Sequence, residues 1–210
     1  MKQKAPGTYK RQVFINCPFD AEYLPLFRII VFVVNACGYH VRCALESQDA
    51  GEVRMVKILR LIRECQFGIH DISRTELDPA NGLPRFNMPL ELGLFLGAAY
   101  FGDAAQKGKR VLVLDAERYR YQKFISDIAG QDIKAHSNDP AKMIHAIRDW
   151  LNALPAQKKP LPGGKMLVRL FSDFMRDTPK TIGLLKLHES DISFADWLWL
   201  VRNWLGKSAR

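Results

Sequence analysis

"KRVLVLDA", residues 109–116, runs from Val111 to Leu114 without a polar interruption and then stops at Asp115. A strand with one wet face alternates apolar and polar residues, whereas a strand in a parallel sheet is covered on both faces and loses the alternation. The run is too short for a buried helix and is bounded by charge, so it reads as a central parallel strand. Parallel strands need crossover connections, usually helices, so the flanking sequence should alternate between the two periodicities.

It does. "RQVFINCPF" (11–19) is a β-branched and aromatic run closed by Pro18, followed by "AEYLPLFRIIVFVVNACG" with apolar residues at helical spacing and Gly38 as its stop. "YHVRCALES" (39–47) reads as a second strand. "AGEVRMVKILRLIREC" (50–65) reads as an amphipathic helix with Val53, Val56, Ile58, Leu59 and Ile62 inward. "FGIHDIS" (67–73) is a third strand, and a polar loop leads into "RFNMPLELGLFLGAAYFG" (85–102), a helix with Asn87 as its cap. After the central strand come a helix in "YRYQKFISDIAG" (119–130), a short strand in "QDIKAHS" (131–137), and a helix begun by Asp139 and Pro140. Five β-α units predict an α/β, flavodoxin-like doubly wound sheet in the order 2-1-3-4-5, with its crevice at the carboxyl ends of strands 1 and 3. Residues 1–10 form a basic tail and 11–154 the α/β domain. Residues 155–164, "PAQKKPLPGG", form a linker, and 165–210 an α-helical appendage with Trp197, Trp199 and Trp204. Packing, on the main domain or on a partner, is the expected use of those tryptophans.

Composition narrows the classes. The chain has 210 residues, 48% of them hydrophobic, and no apolar run that spans a bilayer comfortably, because Arg28 interrupts the longest. The N-terminus lacks a signal-peptide core, so a soluble cytoplasmic protein without membrane partners is expected. Cys17, Cys37, Cys43 and Cys65 are scattered, as are the histidines, which favours core thiols over disulfides or a metal site. The net charge of +9 suits an anionic partner, but no basic block or aromatic repeat points to nucleic acid. Neither a P-loop nor a G-x-G-x-x-G motif occurs.

Topology gathers polar residues at one rim. Asn16, Cys17, Pro18, Phe19 and Asp20 follow strand 1, Glu46 closes strand 2, and Asp71, Ser73 and Arg74 close strand 3. Arg85 and Asn87 lead into a helix that is almost wholly apolar except for Glu91. Each has a plain structural reading as a cap, turn or solvated residue; together at a switch point they read as a site. A carboxylate in so apolar a helix is costly unless it is used or paired. Cleavage of an N-glycosidic bond develops positive charge on the sugar, and a semi-buried carboxylate beneath the anomeric carbon stabilises it or attacks it.

"ELGLFLGAAYFG…KGKRVLVL" resembles the signature of nucleoside 2-deoxyribosyltransferase-like proteins, with "VFINCPF" and "GIHDIS" similar to their first and third strands. The helix position also resembles that of the catalytic glutamate in TIR-like domains that hydrolyse NAD. The resemblance implies Glu91 as the catalytic carboxylate and Asp71 as the acidic residue of the third strand. It places Asn16 to Phe19 beside the base or ribose, and implies a role in antiviral defence through NAD depletion.

The leading expectation is an N-glycosidase acting on a nucleotide, with NAD as substrate rather than cofactor. Nicotinamide in NAD already carries positive charge, so it departs without a proton, whereas a purine needs a general acid. The alternatives are a nucleotide sensor or scaffold that binds without cleaving, assembling with itself or a protein partner through its helical C-terminus, and a deoxyribosyltransferase-like enzyme. Nucleic-acid binding ranks last.

Overall fold

The structure is a computed structural model that describes residues 9–77, 82–155, 157 and 159–208. Its strands are β1 (Gln12–Asn16), β2 (His40–Arg42), β3 (Phe67–Asp71), β4 (Arg110–Asp115) and β5 (Lys134–Ala135). They form one all-parallel sheet in the order β2-β1-β3-β4-β5, the flavodoxin-like arrangement. Asn16 pairs with His70, and Asp71 with Leu114, so β1, β3 and β4 finish nearly level with Asn16, Asp71 and Asp115 at their carboxyl ends.

Side chains alternate across the sheet and split the core in two. Val13 and Ile15 face α1 (Leu24–Ala36) and α4 (Pro140–Asn152), while Phe14 faces α2 (Arg54–Glu64) and α3 (Asn87–Phe101). Asp139 caps α4 as the sequence implies, its carboxylate accepting from the backbone N–H groups of Ala141 and Lys142. Gly38 ends α1 at φ +78°, a conformation natural to glycine.

Apart from Arg28 and Asn35, α1 is apolar on both of its sides because both are covered. The sheet takes one side, and α5 (Gly164–Leu184) and α6 (Phe194–Ser208) take the other. The Phe32 ring lies 5.2 Å from Phe171 and 5.1 Å from Phe174, with Trp204 at 6.1 Å. Trp197 is buried under the Arg28 guanidinium, 4.5 Å from its ring centre. Two of the three C-terminal tryptophans are thus packing residues on the main domain, while Trp199 stays half exposed.

Several local expectations change. Residues 119–130 form two 3-10 turns, Arg120–Lys123 and Ser126–Ile128, instead of an α-helix. Tyr119 enters the first turn at φ +61°, and Arg120 is drawn toward Asp115, which breaks helical continuity. The second strand ends at Arg42, and residues 44–46 form a 3-10 turn. On α2 the inward residues are Lys57, Ile58, Leu61 and Ile62, whereas Val53, Val56 and Leu59 are exposed. Asn87 lies inside α3, whose cap position is Phe86, with no side-chain capping bond. No helix among the described residues is long and apolar enough to cross a membrane.

Candidate functional site

Asn16 ends β1 fully inside the protein, and its side-chain amide donates twice. One bond goes to the Met88 carbonyl at 2.8 Å and the other to His70 Nδ1 at 2.9 Å. The first ties the sheet edge to the opening turn of α3. The second leaves the His70 ring proton on Nε2, in a ring wedged edge-on between Phe14 and Phe95. Burial, aided by the charge of Lys109, lowers the His70 pKa to about 3, so the ring is neutral. Asn16 is therefore a brace beneath the site. Asn16→Ala removes both bonds and leaves His70 Nδ1 a buried acceptor without a partner, while the Met88 carbonyl keeps its helix bond, so urea unfolding should show a loss of about 1–3 kcal/mol.

Glu91 stands one turn into the helix that Asn16 anchors. It is 7% exposed, and no hydrogen bond or ion pair reaches its carboxylate among the described residues. Burial pushes its pKa up to about 7, opposed only by the more distant charge of Arg54 at the start of α2. A helix N-terminus favours a carboxylate by at most about 1 kcal/mol, too little to offset this burial. Nearby, the Cys17 thiol is raised well above its ordinary value, first by burial and then by the charges of Asp71, Cys43 and Glu91. That thiol is inert at neutral pH.

Asp71 occupies the neighbouring strand end under opposite conditions. It is fully buried, accepts from the Tyr23 hydroxyl and from the Ser73 N–H at 2.9 Å, and faces His136 Nε2 at 3.1 Å. His136 Nδ1 accepts from the Asn138 N–H at 3.0 Å, which leaves its ring proton on Nε2, toward Asp71. Burial alone would raise this carboxyl, but the combined pull of His136, Ser73 and Tyr23 holds it below the usual carboxylate range. One acid is starved of partners and the other saturated; pairs driven apart in this way take different roles.

An open cleft of about 500 Å³ lies above the switch point, lined by Asp20, Glu22, Arg74, Glu76, Leu77 and Arg85. Arg74 pairs with Glu22 and comes within 3.9 Å of Asp20, and Arg85 Nη1 lies 3.4 Å from Asp20 Oδ2. The two guanidiniums form the anion-binding potential of the rim, shared with its acids. Glu91 does not line this cleft.

The structure thus brings Asn16, Cys17, Asp71 and Ser73 together beneath the rim, with Arg74 and Arg85 above. Other expected residues are placed differently. Glu46 is held by Arg42 Nε at 2.7 and 2.8 Å and by the Cys43 N–H, with Glu64 sharing the same arginine. Pro18 is buried, and Phe19 packs edge-on against Phe27 with ring centres 5.2 Å apart. Asn87 is exposed on the helix. Sequence reading missed Tyr23 and His136, which flank Asp71, and Arg120, whose Nη2 lies 2.6 Å from the buried Asp115. Tyr23 and His136 each follow a strand end, and Arg120 follows the strand that ends in Asp115, but nothing in their local sequence marks them as partners of a buried acid. No known protein family, and no curated protein sequence, matches the chain.

Proposed function

We propose that this chain is an N-glycosidase acting on a nucleotide, with NAD as its substrate, nicotinamide as the released product and Glu91 as the carboxylate facing the ribose. The observation that carries the reading is the unpartnered, nearly buried Glu91 carboxyl at the carboxyl edge of a doubly wound sheet. Resemblance to TIR-like and deoxyribosyltransferase-like proteins supports the same role, and with it a part in antiviral defence. The glycosidic C–N bond breaks with its electron pair passing to the nicotinamide nitrogen, which neutralises that ring. Ionised Glu91 stabilises the oxocarbenium-like sugar left behind, and water adds at the same carbon and releases its proton to solvent.

The choice of NAD follows from the missing acid. A purine leaving group needs protonation, and Asp71 is both enclosed and held ionised by Tyr23 and His136. Arg74 and Arg85 suit a pyrophosphate that displaces Asp20 and Glu22 from them.

Incubation of the purified chain with NAD, followed by chromatography, should show nicotinamide appearing together with ADP-ribose. The rate should climb about tenfold per pH unit below about 7 and level off above it, because only ionised Glu91 is active and its pKa is about 7. Calorimetric binding of intact NAD with no product on long incubation would instead establish the sensor reading.

A further inference from the structure

We propose that the outer face of α3, together with the adjoining edge of α2, seats a second copy of this chain across a two-fold axis at Gly97. The inference is independent of the glycosidase reading, since it concerns the face of α3 opposite Glu91.

α3 carries one charged residue, Glu91, and that residue points inward with Met88, Leu92 and Phe95. The outward side is as apolar as the buried side: Leu90 is 50% exposed, Tyr100 70% and Phe101 91%. A helix that is apolar all round is normally covered all round. α1, equally apolar apart from Arg28 and Asn35, is covered on both sides by this chain, whereas α3 is covered on one. Met55, Val56 and Leu59 are exposed on α2, the helix packed beside α3, and the spacing of Val56 and Leu59 had suggested burial. At ordinary residue areas the exposed parts of these six residues amount to roughly 700 Å², against about 800 Å² per partner in a specific interface.

The face is complementary to itself, which selects a second copy over an unrelated partner. In an antiparallel pair of α3 helices centred on Gly97, Phe101 of one copy falls opposite Gly93 of the other, and Tyr100 falls opposite Leu94. A side chain built at Gly93 or Gly97 would meet nothing within 4 Å, so both glycines leave room on the face where the bulky residues project. An isologous contact of this kind closes as a dimer. The charge of +9 on each copy opposes association, so added salt should tighten the dimer, the reverse of nucleic-acid binding.

The experiment is analytical ultracentrifugation of the full chain at low and high salt, with Phe101→Glu and Leu90→Glu as variants and oxidative cross-linking of Gly97→Cys. The wild type should dimerise, more tightly at high salt, and each Glu variant should raise the dissociation constant by about tenfold or more. Gly97→Cys should cross-link to itself across the axis, whereas Gly183→Cys, on open α5, should not. The four native cysteines are buried and do not interfere. Circular dichroism keeps an unfolded variant from passing as a monomeric one, and the glycine replacement sits in open helix. A wild type that stays monomeric at all concentrations and salts overturns the proposal. So does a dimer indifferent to both Glu variants, or one that cross-links equally at residue 183.

Discussion

Glu91→Gln should remove roughly 10²–10³-fold or more of NAD turnover and at the same time make the protein more stable at pH 8. The two effects share one cause. Glutamine keeps the shape and volume of the side chain but carries no charge, so it neither stabilises a cationic sugar nor bears the cost of a buried charge. In the wild type the carboxyl has a folded-state pKa of about 7 against an ordinary 4.5. The folded chain therefore binds a proton more tightly than the unfolded chain, and folding stability falls as pH rises from about 4.5 to about 7. Above that window the ionised carboxylate costs about 3 kcal/mol relative to a neutral group of the same shape. Thermal melts at pH 8 should place Glu91→Gln above the wild type by several degrees, and at pH 4 the two should coincide.

That pairing of outcomes separates a working residue from an accidental one. A carboxylate with a structural job weakens the fold when neutralised; one kept for chemistry strengthens it. A stable, inactive Glu91→Gln supports the glycosidase. A Glu91→Gln variant that cleaves NAD at the wild-type rate removes Glu91 from the reaction.

The sheet was legible because burial on two faces leaves a direct trace in residue order. The run from Val111 to Leu114 has no room for a wet face, and the intervening helical spacings leave no other connection than a crossover. Glu91 was legible for a related reason: it is the one charge in α3. What stayed hidden depends on partners distant in sequence. Glu46 belongs to Arg42 and Glu64, contacts that arise only when β2 lies over the end of α2. Asp71 meets Tyr23, 48 residues earlier, and His136, 65 residues later, and only the closed sheet brings them together. Val56 and Leu59 sat at plausible inward spacing, but the buried stripe of α2 turned toward Ile58 and Ile62. Periodicity identifies an apolar stripe without saying which part of it the sheet covers.

Asp71→Ala should come close to unfolding the protein. The substitution leaves the Tyr23 hydroxyl and the Ser73 N–H without their shared acceptor and His136 Nε2 without the carboxylate it faces at 3.1 Å, all in the buried interior. Removing one member of such a buried charged cluster costs about 3–5 kcal/mol, a large part of the 5–15 kcal/mol by which a domain is stable. Asp71→Asn tests the charge with the shape retained. Its amide oxygen can accept from the Ser73 N–H, but its N–H₂ then meets His136 Nε2–H, donor against donor. Relief requires the ring proton to move to Nδ1, which breaks the bond from the Asn138 N–H. The asparagine variant should therefore lie between alanine and wild type in urea unfolding. The pH dependence supplies the sign. The folded pKa of Asp71 lies below its unfolded value near 3.8, so its contribution is complete above that value and is lost as pH falls through the lower folded pKa. Wild-type stability should drop steeply below about pH 4, and the Asp71→Asn curve should be flatter there. Equal acid slopes for the two proteins would show that Asp71 enters the folded state already neutral, and would return it to the list of possible proton donors.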